Sequence, residues 1–164
     1  MYQASTYLPR NILILLYNSL VNSKLIYCLE SWGNAPKTHL NKLYIIQKRL
    51  LRIIYHTEPN YHTAPLFKKS NILPIHLLYK HRICLLAHNE FYIQHQSKLP
   101  GHSYPTRHSA LSLPLPVSTS ACGHRQVAYQ VANCWNSLPN YLREMRGMGE
   151  FGRALRQHLL DSLT

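Results

Sequence analysis

Residues 38–55 read THLNKLYIIQKRLLRIIY, and their spacing decides the fold class. Leu40, Leu43, Gln47, Leu50 and Ile54 recur at three- and four-residue steps, which places them on one helical face. Tyr44, Ile46, Leu51, Ile53 and Tyr55 widen that face, and Thr38 is positioned to cap the helix. Lys42, Lys48, Arg49 and Arg52 project together onto the opposite arc. One side suits a core and the other forms a cationic ridge. Basic surface helices are often simply solvated. Here no acid is interleaved with the four cations, which favours a ridge that faces an anion.

The segments on either side also read as helix. Pro9 opens a helix that continues through Leu20, with a break or kink expected near Asn22 and Ser23. A second piece, Lys24 to Trp32, stops at Gly33-Asn34 before Pro36. Beyond the ridge helix, His56 to Tyr61 reads as a turn and Ala64 to Ser70 as a short helix bearing Lys68 and Lys69. Pro74 opens a long helix, Ile75 to about His95, whose apolar residues surround it and suit a central element. Proline, serine, histidine and glycine then dominate, and Pro100, Pro105, Pro114 and Pro116 forbid a continuous helix. That stretch reads as an extended connection with room for a short strand. Helix returns from His124 to Ser137 and ends at Pro139; a basic turn follows at Leu142, Arg143 and Arg146. A last helix, Glu150 to Leu163, aligns Phe151, Leu155 and Leu159. The expected architecture is all-α: a helical region over 1–96, the extended connection over 97–123, and a C-terminal helical segment over 124–164.

Charge narrows the function. Eighteen Lys and Arg face six acids in 164 residues, a formal charge of +12 with the eleven His neutral. Such an excess attracts polyanions, with phosphate backbones and anionic membranes the usual candidates, and favours nucleic acid over a merely basic soluble domain. The only Asp is Asp161, and the nearest pair of acids in sequence is Glu144 and Glu150. Two-metal phosphoryl transfer needs clustered carboxylates holding ions about 4 Å apart. Polymerase chemistry by this chain alone is therefore not expected. Cys28, Cys84, Cys122 and Cys134 are too scattered for a disulfide framework and fit a reducing, intracellular compartment. The apolar stretch from Ile12 to Tyr17 is too short to span a membrane, and no small-x-small site follows it to mark a signal peptide.

Other chemistries find less support. His81, Cys84 and His88 share a narrow arc at i, i+3 and i+7, but zinc needs a fourth ligand and Cys84 suits a buried core. Cys122-Gly123-His124 offers a nucleophile and a base without an orienting third group. Tyr44 and Tyr55 could stack on bases beside the ridge, yet both project toward the apolar face and suit core packing better. The eleven histidines would add positive charge below about pH 6.5 and strengthen polyanion binding. No metal and no cofactor is implied.

Several segments carry a resemblance. Leu16-Tyr17-Asn18-Ser19-Leu20-Val21 leads to Leu25-Ile26-Tyr27 and Trp32-Gly33. Leu40 to Leu51 contains Gln47-Lys48-Arg49, Ile72-Leu73-Pro74-Ile75 opens the long helix, and Tyr104-Pro105-Thr106-Arg107-His108 lies in the connection. Gly123-His124-Arg125 precedes Trp135-Asn136-Ser137-Leu138-Pro139, with Phe151 and Leu155 beyond. In order and spacing these resemble the region after the palm in LINE-type (non-LTR) retrotransposon reverse transcriptases. The resemblance implies a thumb-like helical region that holds template and primer, an RNA–DNA or other duplex gripped by its backbone without reading sequence. It also implies a partner, the polymerase palm. That palm carries a Tyr/Phe-x-Asp-Asp signature, and no such motif occurs here. A truncated element copy, or a reading frame opened at an internal methionine, is the expected origin. Phosphate contact is expected first from Lys42, Lys48, Arg49 and Arg52, and second from Lys68, Lys69 and Arg107. The other reading is a structural or interaction remnant with no nucleic-acid role of its own.

Overall fold

The computed structural model describes residues 2–97 and 111–163. Every regular element among them is helical, so the fold is all-α. Two compact units divide the chain, Met1–Tyr79 with His158–Thr164, and Lys80–Gln157. Their boundaries fall inside helices and do not follow the changes in composition at 96 and 123. A helix that is apolar on every side can supply different cores along its length, which composition does not mark.

The first unit begins with α1 (Tyr2–Tyr7) and α2 (Arg10–Leu16), and Pro9 stands just before α2 rather than inside it. The chain does not break at Asn22 and Ser23. It widens into a π-helical stretch, Tyr17–Asn22, and continues as α3 (Ser23–Ile26). Ser19 and Ser23 donate their hydroxyls to the carbonyls of Leu16 and Ser19, a back-bonding that distorts a helix without ending it. The break comes later, at Cys28, whose left-handed backbone (φ 48°) separates α3 from α4 (Leu29–Trp32). At Gly33 any Cβ would run into the Tyr79 ring and the Leu29 carbonyl, so only glycine closes α4 here.

After Pro36 the chain forms α5 (Lys37–Tyr55). It starts one residue before Thr38, which lies within its first turn, and no side chain caps it. Helix α6 (Ala64–Ser70), the first turn of α7 (Ile75–Ser97) and the chain from His158 onward belong to the same unit. Its core joins Leu13 and Tyr17 to Leu51, Ile54 and Tyr55, and these to Leu66, Phe67 and Ile72. Each fully buried leucine or phenylalanine there contributes about 1.5–3 kcal/mol.

Gln47 is polar, yet only 1 % exposed at the centre of α5's inner face. Its amide nitrogen donates to the Tyr17 hydroxyl (2.9 Å) and the Leu73 carbonyl (3.4 Å), and its oxygen accepts the Ile75 N–H (2.8 Å). The Ile75 N–H belongs to the first turn of α7, where no intrahelical acceptor exists. Gln47 therefore caps α7 from another helix and fixes the register of Ile72-Leu73-Pro74-Ile75 against α5.

In the second unit, the rest of α7 packs an aromatic cluster. Phe91 and Trp135 stack at 5.0 Å, and His88 stacks on Phe151 at 4.4 Å. Trp135 lies on α8 (Val127–Asn136), which follows a single 3₁₀ turn, Gly123–Arg125. The basic turn expected after Pro139 is a short helix, α9 (Asn140–Arg143), and α10 (Met148–Asp161) starts before Glu150. Residues 111–119 form a strap without strand pairing, and 120–122 turn into the next helix. The Trp135 indole donates to the Leu111 carbonyl at 2.8 Å. The Asn136 amide grips Leu113 at both ends, accepting its N–H (3.0 Å) and donating to its carbonyl (2.9 Å). The Trp-Asn-x-Leu-Pro segment is thus the fastening of the strap, with Leu113 and Leu138 buried beside it.

Candidate nucleic-acid interface

Helix α5 turns Gln47, Leu51, Ile54 and Tyr55 inward. Lys42 and Arg49 are exposed on the outward side, with Lys48 and Arg52 half-buried at its edge. The four ridge cations are thus brought together, but they are not equivalent. The Lys48 ammonium sits 4.2 Å over the Tyr44 ring. Arg52 donates Nε and Nη2 to the Tyr61 carbonyl at 3.2 and 3.1 Å, which ties the turn after α5 back to the helix. Lys42 and Arg49 are the more exposed pair.

The apolar face is narrower than the sequence pattern implies. Ile46, expected on it, is 48 % exposed, as is Ile45, and Ile53 is only half-buried. With Arg49, Arg52, Tyr2, His56 and Pro59, Ile45 and Ile53 line a groove of about 700 Å³. The ridge is therefore an interleaving of cations with isoleucines and not a uniformly polar arc. Tyr44 and Tyr55 are packed. Tyr44 stacks on Phe67 at 5.9 Å and meets His76 edge-on at 5.3 Å, and Tyr55 belongs to the core.

Lys68 and Lys69 are exposed in the last turn of α6, where the helix dipole favours cations. Lys69 also reaches the Tyr55 ring, its ammonium 5.8 Å from the centroid. The Arg10 guanidinium lies 4.8 Å from the same centroid. Arg10 escapes the sequence reading because no local pattern links it to Tyr55; only the packing of α2 on α5 does. Arg107 lies outside the described residues.

Acid does not charge every histidine. Burial holds His76 below the ordinary imidazole value, with repulsion from Lys48 adding to the effect. Burial likewise lowers His81 and His88, against the opposing effect of their bonds to the Gly152 and Met145 carbonyls. These three do not supply the extra positive charge expected just below pH 6.5. The arc of His81, Cys84 and His88 is also otherwise engaged. The His81 and His88 Nε2 atoms bond to those carbonyls at 3.2 and 2.8 Å. Cys84 donates to Cys134, and that bond together with burial keeps its thiol protonated. No helix among the described residues is long and apolar enough to cross a membrane. Comparison with protein-family models, with curated proteins and with solved structures returned no match.

Proposed function

We propose that this chain is the template–primer-holding region of a LINE-type reverse transcriptase, a helical module that grips a nucleic-acid backbone and does no polymer chemistry itself. One observation carries this reading. Lys42, Lys48, Arg49 and Arg52 share the accessible side of a single helix that has no acid in it, and its inner side is anchored in a core. Backbone contact needs rigidly held cations and no base-reading geometry. The ordered series of motifs, from Leu16-Tyr17-Asn18 to Trp135-Asn136-Ser137-Leu138-Pro139, supports the family assignment. The scarcity of carboxylates and the lack of an Asp-Asp pair support the absence of catalysis.

The test is fluorescence anisotropy with labelled RNA–DNA hybrids and DNA duplexes of unrelated sequence, competed with heparin. Near-equal affinity across sequences is expected, with the Lys42→Gln/Arg49→Gln variant several-fold weaker and hybrid displaced by heparin only at excess. Primer extension by the purified chain with magnesium and nucleotides would contradict the reading.

Exposed apolar side chains favour a second reading, a protein-docking surface without nucleic-acid affinity. Leu15 and Leu20 are 63 % and 62 % exposed along the α2–α3 stretch. That reading predicts concentration-dependent self-association and no preference for hybrid over heparin.

A further inference from the structure

We infer that Arg10 and Lys69, both held over the ring of Tyr55, form a phosphate clamp that extends the interface beyond the ridge of α5. The inference rests on the backbone-gripping reading above and adds a site contributed by two other helices.

The clamp is positioned by the core. Leu13, one turn beyond Arg10, and Phe67, two residues before Lys69, are both fully buried in the cluster that contains Tyr55. The backbones at 10 and 69 are therefore fixed relative to the ring, and only the side-chain ends remain to be ordered. A cation within about 6 Å of an aromatic face is attracted to the ring. That attraction orients the charge in advance, so less rotamer entropy is lost when a ligand arrives. A guanidinium carries five N–H donors, more than one ring contact occupies.

Two cations drawn to one ring repel each other. A polyanion that accepts from each would offset that repulsion. A phosphodiester matches this arrangement, since guanidinium offers it two parallel N–H donors and ammonium a point charge. A polymer is favoured over a lone ion because the motif recurs on α5. Lys48 caps Tyr44 as Arg10 and Lys69 cap Tyr55. Those tyrosines stand three helical turns apart, about 16 Å along the axis, a length that several consecutive phosphates of one strand cover.

The test measures affinity of the whole chain for a labelled RNA–DNA hybrid as a function of salt. Each lost phosphate contact should flatten the log–log slope by about 0.9. Arg10→Gln/Lys69→Gln is expected to reduce it by about two contacts, Tyr55→Phe to leave it unchanged, and circular dichroism to show intact helix in both. If the wild type binds hybrid and the double variant keeps its slope, the clamp is wrong and the backbone-gripping reading survives. If the wild type does not bind hybrid at all, that reading falls, and pyrophosphate titration followed at the Arg10 Nε–H resonance decides the clamp separately. A saturable shift lost in Lys69→Gln supports a phosphate site; no shift overturns it. Phosphatidylserine vesicles form the third arm. If the double variant loses vesicle binding and keeps hybrid binding, the surface serves a membrane and the nucleic-acid assignment is overturned.

Discussion

Gln47 sits where the helical pattern calls for a leucine. Periodicity places it on the inner face, but nothing local reveals that its amide meets Tyr17, Leu73 and Ile75. Its partners are distant in sequence, so the role emerges only with tertiary packing. Gln47→Leu removes three hydrogen bonds and leaves the Ile75 N–H and the Tyr17 hydroxyl buried without them. Each unsatisfied group costs about 1–3 kcal/mol, so a loss of roughly 2–6 kcal/mol is expected in urea unfolding. An unchanged midpoint would deny Gln47 this role. The histidines respond to pH for a related reason. His88 donates Nε2–H to Met145, and its Nδ1 is buried with no hydrogen-bond partner among the described residues. A second proton would place an N–H there with nothing to accept it. His81 and His88 have depressed values in the fold, whereas unfolded imidazoles protonate near pH 6.5. The unfolded state then binds more protons, so stability is full above that pH and is lost as pH falls through the depressed folded values. Urea midpoints should be lower at pH 5.5 than at 7.5, and His88→Gln should narrow the gap. Equal midpoints for the wild type would contradict this.

The helices were legible to different degrees. Periodicity finds α5 and its cationic side, but it gives the direction of an apolar face better than its width. The core of the first unit takes only the stripe through Gln47, Leu51 and Ile54, so Ile45 and Ile46 remain outside. Helix α1 has no apolar repeat in Tyr2–Tyr7 and escapes a pattern search. The break or kink expected near Asn22 and Ser23 takes the form of a π-helical stretch, where serine hydroxyls bond back into the helix. The strap was recognisable as irregular from its prolines, but its fastening by Trp135 and Asn136 was not, since a motif does not name its acceptor. Trp135→Ala should cost about 3–5 kcal/mol, because the indole is fully buried and leaves a large cavity. Asn136→Ala should act more locally. It removes both bonds to Leu113, and limited proteolysis should then cut faster within 111–117 while helix content by circular dichroism is kept. Unchanged cleavage would show that the strap is held by other means.

Charge acts on the molecule as a whole. A formal +12 repels itself, and salt in the physiological range should raise the unfolding temperature by screening it. This excess is the ground for proposing polyanion binding, and spacing located the ridge on α5. Neither could foretell Arg10, which joins the surface only when α2 packs on α5. The central claim is that the cations of α5 grip phosphates. The direct measurement is the affinity of wild type and Lys42→Gln/Arg49→Gln for one RNA–DNA hybrid between 50 and 200 mM salt, ranges over which phosphate contacts weaken steeply. The account predicts a linear log–log fall for the wild type and a slope shallower by about 1.8 for the variant. Identical slopes, or binding indifferent to salt, would contradict it.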